Sequence, residues 1–408
     1  MDLTMDGRKV LPQPGQSLLE LVKQLGLDGS TLTERPLAAK IAGEVFTLNY
    51  IPVRQKEAEA DRQSMRRAMA ASNGEIRLLR YADPAGKECY IRTAQFTIFL
   101  AMRQLWPEAT AKMTCTLGSS VYISVAGAKA FSASTLKARV SELVGQDIPL
   151  IRRRVKLQKA IDRFREEGQT DKARLLSWRT VDYFDEYAYG DFADYYYGEM
   201  MPSTGYLAVW DILPADGGFV FVYPDDGNPE ICAKVPPMPN FFSVFNEGER
   251  WGELMECQTV ADLNDLTNSG RIRELIRVNE ALHEKRFSQV ADQVCQRGAK
   301  AVLLAGPSSS GKTTSANRLA TQLRVHGKKP ILMSLDDYYI DRDKIAPGPD
   351  GKLDLEHINT LDTPLFRADI AALLAGQEVM LPTFNFVAGK REWDGKKLRL
   401  EENSVIIV

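Results

Sequence analysis

Cysteine is scarce and unpaired in this chain: Cys89, Cys115, Cys232, Cys257 and Cys295 are odd in number, widely scattered and nowhere arranged as CxxC. That argues against a disulfide framework or a zinc site and for reduced, mostly buried thiols in a cytosolic protein. No stretch approaches ~18 uninterrupted apolar residues, and the opening Met1-Asp2-Leu3-Thr4 lacks a secretory apolar core, so the expectation is a soluble, cytoplasmic chain without a membrane span. Net charge is missing too. With 52 Lys and Arg against 54 Asp and Glu there is no global field for a polyanion, and RNA or membrane contact would need a local patch. At 408 residues the chain exceeds one ordinary domain, and about two to four are expected.

What is there is a phosphate cradle. Gly306-Pro307-Ser308-Ser309-Ser310-Gly311-Lys312-Thr313 satisfies GxxxxGK[ST], with Thr314 following. In such a loop glycines and small residues let consecutive N–H groups turn inward on a polyphosphate, Lys312 supplies a mobile charge and Thr313 offers a hydroxyl to Mg²⁺. The apolar Ala301-Val302-Leu303-Leu304-Ala305 before it reads as a buried strand. After it, Ala316, Leu319, Ala320 and Leu323 fall at helical spacing over 312–325, which points a helix N-terminus at the anion. A nucleotide is therefore the expected ligand.

A second strand, Pro330 to Leu335, delivers Asp336-Asp337-Tyr338-Tyr339 at its carboxyl end, where open parallel sheets bind ligands. Asp336, expected one strand over from the cradle and facing the γ-phosphate across from Lys312, is the candidate base and metal ligand; an acidic turn is the plainer alternative, and the one preferred for Asp337.

Upstream, residues 1–53 alternate polar and apolar residues around the turn dipeptide Asp6-Gly7, and Ser17 with Glu20 forms a capping box ahead of an apolar helical run. Strand, turn, strand and helix describe a small half-open β-grasp-like unit. The basic run Arg152-Arg153-Arg154-Val155-Lys156 invites an RNA reading, although a solvated helix face is the preferred one in a stretch that also carries Glu166 and Glu167. Residues 240–260 lack a clear period and read as a linker; Asp262 to Arg297 reads as helix throughout, ended by Gly298.

Three resemblances add to this reading. Leu37 to Val45 resembles the strand-turn of the TGS module carried by threonyl-tRNA synthetases and certain GTPases. The stretch 77–225, with the helix Arg92 to Leu105, Tyr189-Gly190-Asp191-Phe192-Ala193-Asp194 and Pro202-Ser203-Thr204-Gly205, resembles the domain of threonyl-tRNA synthetases that edits mischarged tRNA. At the four positions matching that family's HxxxH and CxxxH stand Arg92, Phe96, Tyr196 and Met200, which implies that the editing chemistry is lost; core packing is the preferred role for the last three. The aromatic group Tyr195-Tyr196-Tyr197 is open between base stacking, a small-molecule cleft and a half-buried strand.

From 300 onward the cradle, Leu335-Asp336-Asp337-Tyr338-Tyr339, Leu353-Asp354-Leu355-Glu356-His357 and Leu381-Pro382-Thr383-Phe384-Asn385-Phe386 together resemble the uridine kinase/phosphoribulokinase family. The whole looks like bacterial uridine-kinase-related proteins that fuse a TGS module and a degenerate editing domain to a kinase-like domain. This implies ATP and Mg²⁺ as cofactors (Mg²⁺ on Thr313 and Asp336), a nucleoside-like or sugar-like acceptor, and acceptor contacts from Tyr339, Glu356 and His357. The family's pyrimidine-reading groups are replaced by Leu355, Phe384, Asn385 and Gly389, so uracil or cytosine is not enforced in the same way. Lys390 and Arg391 are candidates to grip an anionic acceptor, against the alternative of a charged surface loop. The family's acidic Mg²⁺-orienting residue follows a strand like Ser404-Val405-Ile406-Ile407-Val408, where this chain stops, and its lid and arginines are absent; poor transfer is expected from such a piece. The expected fold class is thus multidomain α+β and α/β: a β-grasp-like TGS module (1–60), an α+β editing-like domain (61–239), a linker and helical connector (240–298) and a C-terminally incomplete P-loop NTPase parallel sheet (299–408). Through its first two domains the resemblance implies tRNA contact. The alternative to a phosphotransferase is a tRNA- or ligand-binding regulatory protein with a nucleotide-responsive P-loop domain.

Overall fold

A computed structural model describes residues 3–52, 75–236, 239–307, 309–347, 353–355 and 357–408. The chain forms two compact units, Met1–Asp265 and Leu266–Val408, built of mixed α/β structure on several sheets. Among the described residues no helix is long and apolar enough to cross a membrane.

In the first unit, Asp6 and Gly7 take φ of 44° and 77°, the left-handed pair that a two-residue hairpin between Leu3–Met5 and Arg8–Val10 needs. Ser17 and Glu20 close the expected capping box on the helix Leu18–Gln24, whose Leu18, Leu21 and Val22 pack against Met5, Ile41 and Ile76. The five-stranded sheet here runs in the order Arg8–Val10, Leu3–Met5, Glu75–Leu79, Ala38–Ile41, Glu44–Thr47. Its central strand, Glu75–Leu79, comes from beyond the boundary expected near residue 60: Ile76 and Leu78 are buried and pair parallel to one neighbour and antiparallel to the other. Without it, two facing edges of unpaired N–H and C=O groups would lie over an apolar core. Packing is also continuous past that boundary. Leu37 and Ala38 share a core with Tyr90 and Phe219, and Asn49 Nδ2 donates to Pro202 O at 2.7 Å.

The remainder of this unit sets the helix Pro84–Leu105, buried along most of its length, against a four-stranded antiparallel sheet of Asp211–Ala215, Gly218–Val222, Ser120–Ala126 and Thr110–Thr116. A separate three-stranded sheet joins Phe192–Asp194, Tyr183–Tyr189 and Arg152–Lys156. The basic run is therefore a strand, contrary to the preferred helical reading. Arg152 meets Asp185 at 2.8 Å and Glu199 at 2.7 Å, Arg154 meets Asp185 at 2.9 Å, and Arg153 meets the fully buried Glu186 at 2.7 Å. Successive arginines on a strand point to opposite faces, and each finds a carboxylate supplied from across the ladder or the following turn.

Two further expectations change between 239 and 297. Pro239–Leu254 is helical where an aperiodic linker was expected, and the long helix is divided into Val260–Asn268 and Ile272–Gln296. Gly270, at φ 74°, makes the break. Gly298, at φ 61°, ends the second piece as expected.

In the second unit, Ser404–Ile407 is fully buried and runs parallel between Ala301–Val302 and Lys329–Leu332. Val405 and Ile407 face a core formed with Leu319, Ala320 and Leu323 of the helix Lys312–Val325, together with Ala291 and Val294; Ile406 faces the other way, onto Tyr338 and Leu373 of the layer that carries the helix Thr363–Leu374. Alternation along four residues thus covers both sheet faces, as a parallel sheet requires. The strand expected over 301–305 is regular only at Ala301–Val302. It lies at the edge of the described sheet, and Leu303 is 75% exposed.

Replacing Ile406 by Ala should therefore cost about 2–5 kcal/mol, whereas Leu303→Ala should stay within about 0.5 kcal/mol. Urea titrations followed through Trp393, the sole tryptophan of the second unit, would measure both; equal effects would contradict the layer assignment.

Candidate functional site

The cradle hangs between the edge strand and the helix Lys312–Val325. Ser309 at φ 59° and Gly311 at φ 84° place two left-handed residues in the loop, and Gly311 caps the helix. At Gly306 a Cβ would sit 2.7 Å from Ser310 Oγ, so a side chain there would force that hydroxyl into another rotamer. Ser310 N donates to Pro307 O at 3.2 Å, and Ser315 N donates to Gly311 O at 2.9 Å as the helix begins. Lys312 Nζ arches back to donate to Gly306 O at 2.8 Å and Pro307 O at 3.0 Å. Gly306, Pro307, Ser309, Ser310, Lys312, Thr313 and Thr314 are all exposed; Ser308 lies outside the described residues.

Asp336 stands in a short 3₁₀ turn, Leu335–Tyr338, after the strand Lys329–Leu332; its N–H donates to Ser334 Oγ at 3.2 Å and it is exposed. The strand Ser404–Ile407 separates its strand from that of the cradle. Asp336 is thus two inter-strand steps from the loop, about 10 Å, instead of the one expected, because the last strand in sequence inserts between the two. Both groups open at the same carboxyl end of the sheet. No ion pair joins Lys312 to Asp336 among the described residues; Lys312 Nζ is bonded to the loop carbonyls instead.

On the acceptor side, Asp337 Oδ1 accepts from Phe384 N at 3.3 Å, tying the hairpin Thr383–Asn385/Lys390–Glu392 to the turn that bears Asp336. The Tyr339 ring lies 5.5 Å from Phe384 and 6.5 Å from Phe386. His357 is exposed and caps the turn Ile358–Thr360, its Nδ1 accepting from Asn359 N at 3.1 Å; Glu356 lies outside the described residues. Arg391 is already engaged. Its guanidinium donates to Asp362 Oδ2 at 2.8 Å and its N–H to Asp341 Oδ1 at 3.0 Å, and Arg391 helps hold the Asp362 carboxyl below the usual range against the opposing effect of burial. An anion would have to displace a carboxylate to reach it. Sequence reasoning passed over Tyr338 and Asp369: the buried phenol donates to Asp369 Oδ2 at 3.0 Å, and burial pushes that carboxyl up. An acidic residue in a largely apolar helix, Thr363–Leu374, was the signal available.

In the first unit, Phe96 and Met200 are fully buried, the Phe96 ring packs 5.3 Å from Phe192 and 6.2 Å from Tyr196, and Arg92 donates to Glu199 O at 3.0 Å. The four positions are packed side chains. Among the described residues no cluster of His, Cys, Asp and Glu could hold a metal ion. Beside them lies a cleft of about 1380 Å³ with Gln95, Asp194 and Tyr195–Tyr197 among its walls.

No protein-family profile matches the chain. Threonine–tRNA ligase of Halorhodospira halophila is 26% identical over 202 residues, 48% of this chain and 30% of the ligase. Uridine kinase of Lactobacillus helveticus is 31% identical over 105 residues, 26% of this chain and 48% of the kinase. A solved structure of a possible uridine kinase from Bacillus stearothermophilus is 22% identical, with a TM-score of 0.24 over 29% of this chain and 67% of that one. The chain thus spans less than half the length of either curated relative. It contains a region similar to P-loop kinases and one similar to threonine–tRNA ligases, both at low identity.

If Arg391 is a strut, Arg391→Met should destabilise the second unit by about 1–2 kcal/mol and leave affinity for ATP within about twofold. Calorimetric binding alongside urea titration separates these; a selective loss of anion binding at unchanged stability would return Arg391 to the acceptor site.

Proposed function

We propose that this chain carries an ATP-dependent, uridine kinase-like phosphotransferase that phosphorylates a hydroxyl of a nucleoside-like or sugar-like acceptor. The reading rests on a loop of phosphate-cradle pattern with an exposed lysine and an exposed carboxylate opening at the same end of one parallel sheet, together with likeness to a uridine kinase over 105 residues. Backbone N–H groups of the loop and helix start receive the β- and γ-phosphates of ATP. Lys312 exchanges its two loop carbonyls for phosphate oxygens, a change that replaces neutral acceptors by charged ones. Thr313 and Asp336 are both exposed oxygen donors facing the same end of the sheet, a hard ligand set that fits Mg²⁺ completed by waters and phosphate. When bound, Mg²⁺ neutralises charge on the transferring phosphoryl group. Asp336 accepts the acceptor's hydroxyl proton, and Tyr339 and Phe384 flank the acceptor's remainder. The alternative, a tRNA- or ligand-binding regulator with a nucleotide-responsive P-loop, draws on likeness to the ligase across nearly half the chain. Against RNA contact through the basic run stands the pairing of Arg152, Arg153 and Arg154 with carboxylates.

Lys312→Ala should weaken ATP binding about tenfold or more, and Asp336→Asn should leave binding intact while lowering phosphoryl transfer about 10²–10⁴-fold. A screen of nucleosides and polyols with radiolabelled ATP reads both. Turnover undiminished in Lys312→Ala would overturn the proposal; tRNA-dependent nucleotide affinity without turnover would favour the regulator.

A further inference from the structure

The turn that carries Asp336 is held only weakly by its own bonds. Asp336 N donates to Ser334 Oγ at 3.2 Å, Asp337 N to Ser334 O at 3.3 Å and Tyr339 N to Asp336 O at 3.5 Å, all toward the long end of the hydrogen-bond range. Leu335 and Asp336 are exposed, and Tyr338 is the buried residue of Leu335–Tyr338. The shorter anchors run through Tyr338 to the helix Thr363–Leu374. Asp362 N, at the helix start, donates to Tyr338 O at 2.8 Å, and the Tyr338 hydroxyl donates to Asp369 Oδ2 at 3.0 Å. The Tyr338 ring also meets Phe366 edge to face at 5.2 Å, on the same helix face as Asp369.

A phenol and a carboxyl are a poor choice for stability alone at this place. Asp369 is 8% exposed, and its neighbours in the core around Tyr338, Leu373 and Ile406 among them, are apolar. Phe and Leu would fill the same space without stripping two polar groups of water, and exchanging a buried polar pair for apolar groups of similar volume is often neutral or stabilising. What the polar pair adds is direction. Apolar contact lets a ring slide, whereas a hydrogen bond fixes both the distance and the angle at which Tyr338 meets the helix.

We infer that Tyr338 and Asp369 are positioning residues for Asp336: their hydrogen bond pins the turn to the helix and thereby sets where the Asp336 carboxylate stands at the end of the sheet. Only Asp337 separates Asp336 from the anchored tyrosine, so a shift of the ring passes directly to the carboxylate. Displacing a reacting group by about 1 Å can cost about 10²-fold in rate.

The catalytic half of this inference rests on the phosphotransferase reading, and two measurements on the full chain let the two fail separately. In Tyr338→Phe/Asp369→Leu, amide exchange at Ile340 and Asp362, whose N–H groups tie the residues after Asp336 to Thr360 and to the helix start, should speed up about tenfold. The urea midpoint should be no lower than in the wild type. Transfer from radiolabelled ATP to uridine, adenosine or xylitol should lose about tenfold or more in kcat, with KM for ATP within about twofold. Asp369→Asn keeps an oxygen to accept from the phenol and should bring exchange and kcat to within about threefold of the wild type. Tyr338→Phe alone removes a single oxygen and gives the same reading should the double variant not fold. Unchanged exchange, unchanged kcat, or a kcat that falls only in step with urea resistance would each overturn the inference. If exchange speeds up in the variant but the wild type transfers phosphate to none of the three acceptors, the pair's hold on the turn stands and the phosphotransferase reading falls.

Discussion

Parallel pairing of Ser404–Ile407 with both neighbouring strands is the constraint on which the placement of the candidate site depends. Ile406 N donates to Lys300 O, Val408 N to Val302 O, Leu304 N to Val408 O and Met333 N to Ile407 O, at 2.8–2.9 Å. Those bonds bring the carboxyl ends of the two outer strands level, so that the cradle after Val302 and the turn after Leu332 emerge on one side. Burial on both faces makes the register strict: a slip of one residue would turn Ile406 toward the helix Lys312–Val325 and Val405 and Ile407 toward Tyr338. Placement of Lys312 and Asp336 thus follows from three apolar side chains that touch no ligand. One strand lies between the loop and the turn that bears Asp336.

A different principle organises the first unit, where charge is neutralised locally. Glu186 is fully buried and bonded to Arg153 at 2.7 Å and Arg163 at 2.5 Å. Removing both partners would leave a buried carboxylate without compensation. Asp185, held below the usual carboxylate range chiefly by its hydrogen bond to Arg154, joins the same ladder to Arg152. A run of arginines that looks like a nucleic-acid patch in one dimension is therefore largely spent on the protein itself. Packing at Phe96 and Met200 has the same character, apolar side chains filling space where a polar centre would need convergent heteroatoms.

Local devices were legible in the sequence; pairings over distance were not. Asp6-Gly7, Ser17 with Glu20, the loop Gly306 to Thr313 and the end at Gly298 each depend on backbone preferences within a few residues. By contrast, Glu75–Leu79 joins its sheet because strands some 70 and 40 residues earlier leave a place for it. Arg152–Lys156 is a strand because Tyr183–Tyr189 lies alongside, which composition cannot disclose. Asp336 was found by its position after an apolar strand, but the insertion of Ser404–Ile407 between it and the loop is a matter of strand order, to which the spacing of residues along the chain is blind.

Arg391 carries this contrast into the chemistry. In sequence, Gly389-Lys390-Arg391 offers cations beside a candidate acceptor site, yet the strand Lys390–Glu392 turns Arg391 toward Asp362, the residue that also caps the helix Thr363–Leu374 through Leu365 N at 3.1 Å. One carboxylate thereby fastens helix, hairpin and arginine together. A guanidinium held in this way would have to leave that carboxylate before it could meet an anion. Among the described residues, then, Asp337, Asn385 and Arg391 are bonded within the protein around this hairpin, Phe384 is buried and Phe386 is exposed.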